Sequence, residues 1–301
     1  MKPHPARDAH TPVLLVPFLE MIAPLPDDPH IFMDGTFGRG GHTRAILETK
    51  KNWKVLALDC DADAIAYGQA NFTSEISAGR LDLRRANFSD FDSEIGNQKL
   101  IGALLDLGVS SPQLDEGRRG FSFYHNGPLD MRMDHSTDLT AAQIVNTWPE
   151  QDLNDVFHEL GEVRSPFRVS KKICEIRREK SFETTNDLAG LIEKVEGWRQ
   201  KGHHPATNYF MALRIAVNNE LKRVEKVLAP LCAALLPRGR LFVITFHSLE
   251  DRIVKTAFRD LDDKGVGEIV NKKVVQATWD EKKTNPRSRS AKMRVFEGAT
   301  A

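Results

Sequence analysis

Residues 31–43 run Ile31-Phe32-Met33-Asp34-Gly35-Thr36-Phe37-Gly38-Arg39-Gly40-Gly41-His42-Thr43: a short apolar run, an acid, then a loop with four glycines. The apolar run predicts a buried strand, and the glycines let the backbone turn sharply and come close to a ligand. The dinucleotide fingerprint, begun at Gly38, requires glycine at position 43, where this chain has Thr43. No Gly-Lys-Ser/Thr follows to make a P-loop. A pyrophosphate favours a helix N-terminus without an acid beside it, and here Asp34 leads into the loop.

Outward from this stretch the pattern repeats. Val55–Leu58 ends in Asp59, Leu81–Arg85 alternates, and Ile101–Leu105 ends in Asp106. Helices are expected over His42–Glu48 and over Asp61–Phe72, with Asp61 or Asp63 as N-cap. Strands alternating with helices imply βαβ units and a parallel sheet. From about Pro112 to Pro205 strand signals give way to helical candidates at Thr140–Asn146, Gln151–Glu159, Arg168–Glu179 and Thr185–Lys194. The α/β pattern resumes with a long helix over Ala206–Leu228, a strand at Arg240–Phe246 and a helix at Ser248–Phe258. Further strands are expected around Ile269–Val275 and Met293–Phe296. The expected fold class is α/β, with residues 1–112 and 205–301 forming one discontinuous domain and 113–204 a helical insertion. Residues 1–29 read as a loop-rich lead-in.

The 301 residues suit about two domains. Lys and Arg (42) balance Asp and Glu (42), so any nucleic-acid surface must be a local patch rather than a global field. No apolar run has the length of a membrane span or signal peptide, so no membrane partner is expected. Cys60, Cys174 and Cys232 make no C-x-x-C pair, and their odd number is a poor disulfide framework; the cytoplasm is the expected compartment. His125, His203 and His204 match no zinc spacing with cysteines, so no metal is expected.

Ligands of open α/β sheets bind at the carboxyl ends of the strands, near the point where strand order reverses. Three acids, Asp34, Asp59 and Asp106, end apolar strands there and favour a cation. S-adenosylmethionine carries a sulfonium and no phosphate. Asp59 follows Gly41 by 18 residues, as the end of the second strand should, and a carboxylate there accepts ribose hydroxyls. An acid after a strand is also a common turn residue, but three beside one glycine loop favour the cation. Phe88 either packs on the adenine or serves as a core aromatic.

The chain resembles the MraW/RsmH family of bacterial small-subunit rRNA cytosine-N4 methyltransferases. The matching stretches are His10–Leu15 (HTPVLL), Asp34–Thr43 (DGTFGRGGHT), Asp106–Asp115 (DLGVSSPQLD) and Arg119–Phe123 (RGFSF). They continue with Gly127–Asp134 (GPLDMRMD), His204–Thr207 (HPAT), Phe246–Lys255 (FHSLEDRIVK) and Asn285–Ser288 (NPRS). The resemblance implies a class I, Rossmann-like S-adenosylmethionine-dependent methyltransferase domain interrupted by a helical substrate domain. It implies cofactor contacts from Gly40, Gly41, His42, Asp59, Phe88, Asp106 and Gln113, with Asp34 a further candidate. The implied substrate is a cytidine in the decoding region of 16S rRNA, in the small ribosomal subunit. The chain departs from the family at Val16-Pro17, where an acidic residue is usual, and at a Ser-Pro within Gly161–Arg168.

Methyl transfer to an exocyclic amine is an in-line displacement that depends on positioning and electrostatics. The acceptor for the amine N–H lies in Asp106–Pro112, with Asp106, Ser110 and a backbone carbonyl all open. Attack through cytosine C5 would need a cysteine nucleophile, and all three cysteines read as ordinary buried thiols. His247 either lines the base pocket or neighbours a cap in which Ser248 pairs with Asp251. For RNA, Arg119 and Tyr124 join a cation to an aromatic just after the proposed active loop, whereas Phe121 and Phe123 read more as core. Residues 271–294 hold eight Lys/Arg, Arg287 and Arg289 among them, against two acids, a phosphate-binding candidate. A nicotinamide oxidoreductase is disfavoured by Thr43 and the acidic strand ends. A non-catalytic rRNA-binding assembly factor remains the alternative, and the choice between monomer and homodimer stays open.

Overall fold

The computed structural model describes residues 11–198 and 204–300; His10 of the N-terminal motif and His203 lie outside the described residues. The chain forms two compact units, one up to Gly108 and from Lys222 on, the other Val109–Leu221. The sequence placed these boundaries at 112/113 and 204/205.

The first unit is built on β1 (Ile31–Asp34), β2 (Lys54–Asp59), β3 (Leu81–Arg85), β4 (Leu100–Asp106), β5 (Leu235–Thr245), β6 (Gly267–Ile269), β7 (Val275–Gln276) and β8 (Lys292–Gly298). They form one sheet in the order β3-β2-β1-β4-β5-β8-β6, with β7 beside β8. The first five strands are parallel, and β8 runs antiparallel to β5. This is the doubly wound α/β fold expected from the sequence. Residues along each central strand alternate between two cores, as a sheet covered on both faces requires. Val55 and Ala57 of β2, with Phe242 and Ile244 of β5, enter one core; Leu56, Leu58, Leu241 and Val243 enter the other. The chain leaves β1 outward to β2 and β3, then crosses back to β4. The crevice of the sheet therefore opens between the carboxyl ends of β1 and β4.

The early helices of this unit are α1 (Leu15–Ile22), α2 (Gly41–Thr49), α3 (Ala62–Asn71), α4 (Thr73–Ser77) and α5 (Phe91–Ile95). Of the two candidate caps, Asp61 is the one used for α3, its carboxylate accepting the Asp63 N–H at 3.0 Å. The first helix replaces the expected loop, because Phe18 and Ile22, one turn apart, are both buried. Pro17 sits in its first turn, where a missing N–H is tolerated.

The second unit holds α6 (Ser111–Asp115), α7 (Ala141–Thr147), α8 (Glu150–Glu159), α9 (Phe167–Ile176), α10 (Thr185–Glu196) and α11 (Thr207–Asn218). Its own core includes Ile144, Phe157, Ile173, Leu188, Tyr209, Phe210 and Leu213. The long helix expected over Ala206–Leu228 is broken at Asn219, whose φ of 53° ends α11; α12 (Glu220–Ala234) follows. Asparagine tolerates this left-handed cap. Phe210 and Leu213 face the helical core, so α11 packs with the helical unit while the later turns of α12 return to the sheet. Helices α13 (Ser248–Asp263) and α14 (Trp279–Thr284) complete the chain. Among the described residues no helix is long and apolar enough to cross a membrane.

Candidate functional site

The glycine loop follows β1 directly. Gly35 N–H donates to Leu104 O at 2.9 Å and Phe37 N–H to Leu58 O at 3.0 Å, tying the loop to the ends of β4 and β2. Gly40 has φ 69° and caps α2; a Cβ there would lie 2.5 Å from the Phe72 ring and 2.7 Å from Phe37. At Gly41 a Cβ would meet Pro12 of the N-terminal motif at 2.4 Å. Both positions need glycine for close approach, and Gly40 also for its backbone conformation.

The three strand-end acids divide by role. Asp34 is 1% exposed. Its Oδ1 accepts the Thr36 N–H at 3.1 Å and its Oδ2 the Thr43 hydroxyl at 2.6 Å. Thr36 Oγ1 in turn accepts the Asp106 N–H at 2.7 Å. Asp34 is thus built into the loop, tied to Thr36 and Thr43. The cause is Thr43, the residue that breaks the dinucleotide fingerprint and turns inward to hold the acid. Asp59 accepts N–H groups of Gly38 and Asp61, each at 2.8 Å, one on each oxygen. Each oxygen of a carboxylate keeps a further lone pair for a ligand. Burial raises both Asp34 and Asp59 to about 6, against the opposing effect of these hydrogen bonds.

Asp106 differs. Burial, then the nearby charges of Asp34 and Glu250, hold its carboxyl well above the ordinary range. Its Oδ1 is buried without a hydrogen-bond partner among the described residues. Its Oδ2 lies 3.7 Å from His42 Nδ1. His42 is 6% exposed, and burial lowers it to about 4, so the ring is neutral. Nε2 pairs with Val13 O at 3.1 Å. A carbonyl only accepts, so Nε2 carries the proton and Nδ1 presents a lone pair. With Asp106 ionised, two acceptors face each other beside the glycine loop. Phe88 is half-buried at the start of a 3-10 turn, its Cβ 3.0 Å from where a Gly35 Cβ would stand. It thus neighbours the loop while also packing on a core.

At the end of β5, His247 is the N-cap of α13 and forms a capping box with Glu250, not the Ser248–Asp251 cap expected. Asp251 is drawn instead to Lys292 at 3.1 Å and Arg294 at 2.7 Å. Those two cations of the basic segment are thereby neutralised. A pocket of about 240 Å³ brings His247 together with Phe246, Ser248, Gln276, Arg289 and Lys292. Two of the sequence's RNA candidates, His247 and Arg289, share it. Arg287 is half-buried in the adjoining 3-10 turn.

In the helical unit, Ser110 caps α6 and Gln113 Oε1 accepts the Ser110 N–H at 2.9 Å. Arg119 does not present its charge to solvent, which corrects its RNA candidacy. It is 2% exposed, and its Nη2 donates to Arg132 O at 3.1 Å and Met133 O at 3.3 Å. Phe121 is buried as expected, and Tyr124 is exposed. Sequence reasoning missed Thr36 and Thr43, although a hydroxyl residue following a strand-end acid is a visible signal. It also missed Glu250, Trp198 and His204.

The MraW methylase family model matches residues 7–299. Similar curated proteins include "Ribosomal RNA small subunit methyltransferase H" of Bdellovibrio bacteriovorus, 51% identical over 96% of this chain and 87% of that protein. The protein of the same name from Crocosphaera subtropica is 43% identical over 96% and 89%. Among solved structures, an rRNA methylase from Streptococcus thermophilus aligns with 97% of this chain and 100% of its own, at 11% identity and a TM-score of 0.47. SMU.1697c from Streptococcus mutans, in complex with SAH, aligns with 96% and 99%, at 10% identity and a TM-score of 0.46.

Proposed function

The chain belongs to the MraW methylase family, and on that premise we propose that it is an S-adenosylmethionine-dependent methyltransferase of small-subunit ribosomal RNA. Its product, in this reading, is N4-methylcytidine in the decoding region of 16S rRNA, made on the small ribosomal subunit in the cytoplasm.

One observation carries the choice of cofactor. Asp106 Oδ1 is buried without a partner among the described residues, and the His42 Nδ1 lone pair faces the same carboxyl. Buried acceptors without donors are costly. A cationic, N–H-bearing ligand removes that cost, whereas a phosphate would add to it. S-adenosylmethionine fits this acceptor set and, when bound, supplies an electrophilic methyl carbon on a sulfonium. Asp59 accepts hydroxyl donors through the lone pairs that Gly38 and Asp61 leave. His42 and Asp106 accept N–H donors. Gly40 and Gly41 let the backbone approach, Phe88 offers an aromatic face, and Gln113 adds a polar contact. Asp34 acts at one remove, by holding Thr36 and Thr43.

For the substrate, the segment Asp106–Ser110 supplies the acceptor that takes an N4–H hydrogen bond and localises the amine lone pair. The candidates are the Asp106 carboxylate, Ser110 and a backbone carbonyl. Tyr124, His247, Arg287 and Arg289 are assigned to the RNA, and the helical unit to substrate recognition. Chemistry at cytosine C5 needs a reactive thiol. Of the three cysteines read as buried from the sequence, Cys232 is buried and pushed up to about 12, which leaves it inert, whereas Cys60 and Cys174 are half-buried, a correction. The test is incubation of small subunits with labelled cofactor, followed by mass spectrometry of the nucleosides. N4-methylcytidine is expected; 5-methylcytidine or no labelled nucleoside refutes the proposal.

A further inference from the structure

Among its described residues, the helical unit leaves Tyr124, Phe167 and Trp198 exposed as large hydrophobic side chains. Two of them, Tyr124 at 73% and Trp198 at 56% exposure, meet on one histidine. The His204 ring is edge-on to Trp198 at 5.0 Å and to Tyr124 at 6.2 Å. Its own face stacks on Phe123 at 4.4 Å. Phe123 leans edge-on against Phe210, which belongs to the unit's core. A column of rings thus rises from the core through Phe123 to His204, rimmed by two solvated aromatics. The rim is held in place. The Trp198 indole N–H donates to Glu193, and Tyr124 packs on Phe123 at 4.7 Å. His204 Nδ1 accepts the Ala206 N–H at 3.1 Å. In the neutral ring Nε2 then carries the proton, a donor that the rim leaves for a ligand.

Exposed, pre-positioned aromatics around an N–H donor suit a flat ligand with an accepting edge. Every nucleobase has a π-face that stacks on such rings, and its edge carries carbonyl oxygens and ring nitrogens. We infer that Tyr124, Trp198 and His204 form a stacking site for an unpaired nucleobase of an RNA strand. The identification of that strand as the substrate rests on the proposed rRNA methyltransferase activity; the site itself rests on the rings.

The test uses the full-length protein and a short fluorescein-labelled oligocytidine, with Kd read from anisotropy. Trp198→Ala and Tyr124→Ala should each weaken binding about fivefold or more, the loss expected for one stacked base. Trp198→Phe, which keeps a ring, should stay within about twofold of the wild type. Cofactor affinity and thermal midpoint should not move, since both rings are exposed. Kd values unchanged in both alanine variants, or no binding by the wild type, overturn the inference. So does an equal loss in Trp198→Phe, which would point to a protein-like contact with the indole rather than stacking. Methylation of small subunits is measured alongside. Activity with unaltered oligonucleotide affinity in the variants sinks the stacking site alone. Loss of affinity in the variants with no methylation by the wild type sinks the enzymatic reading alone.

Discussion

Cofactor affinity should fall about tenfold between pH 7 and pH 5. Burial raises the Asp59 carboxyl to about 6 in the free protein. Its charged form therefore costs free energy at neutral pH, and the cost disappears as the pH drops and the group takes up a proton. A ligand that requires the ionised carboxylate must first expel that proton. With a pKa of about 6, the apparent Kd rises by roughly 1 + 10^(6−pH), a factor of about 1.1 at pH 7 and about 11 at pH 5. The ratio corresponds to about 1.4 kcal/mol. Asp106, likewise raised by burial and by Asp34 and Glu250, steepens the dependence, so tenfold is the smaller expectation. S-adenosylmethionine keeps its sulfonium charge across this range. The assay is titration calorimetry at three pH values in buffers of known ionisation heat, which also counts the released protons. Asp59→Asn removes the titrating group. It should weaken binding on the order of tenfold to hundredfold at pH 7 and flatten the slope. A Kd that does not change with pH, or an equal slope in Asp59→Asn, would refute the electrostatic account of the site.

Gly40→Ala should cost about 2–5 kcal/mol, from a left-handed backbone plus overpacking against Phe37 and Phe72; a urea midpoint unchanged from wild type would contradict this. Arg119→Ala should lower stability by about 2–4 kcal/mol, since it strips the Arg132 and Met133 carbonyls of a donor and opens a cavity. At conditions where the variant stays folded, its RNA affinity should equal that of the wild type, as anisotropy will show. Replacing Lys282, Lys283, Arg287 and Arg289 with Gln should lower the salt slope of RNA binding by about 0.7 for each phosphate that is no longer neutralised. Lys292→Gln and Arg294→Gln should instead leave that slope in place and reduce thermal stability, because their charges face Asp251. A salt series on both sets separates the two outcomes.

The parallel sheet was legible because its determinants are local. Strands buried on both faces are written as unbroken apolar runs, as in Val55–Leu58 and Ile101–Leu105, and each ends in an acid where the chain leaves the sheet. The glycine loop was legible for the same reason, since close approach and a left-handed turn require glycine at its own position. The N-terminal helix was not, because five prolines between positions 12 and 29 masked a one-turn spacing of Phe18 and Ile22. The break at Asn219 was hidden inside an apolar periodicity that runs through it without a gap.

What the sequence determined alone was the α/β class, the helical insertion, and the acids and glycines around one crevice. Tertiary structure decided which of those side chains keep free valence. Arg119 looks like a ligand-binding group in the chain, yet its Nη2 is taken up by the Arg132 and Met133 carbonyls; Asp34 is tied to Thr36 and Thr43 of its own loop; Asp106 keeps an unanswered oxygen. Hydrogen-bond capacity is finite and is allotted by whatever the fold brings within about 3 Å, and a linear pattern of residue types carries no record of that allotment.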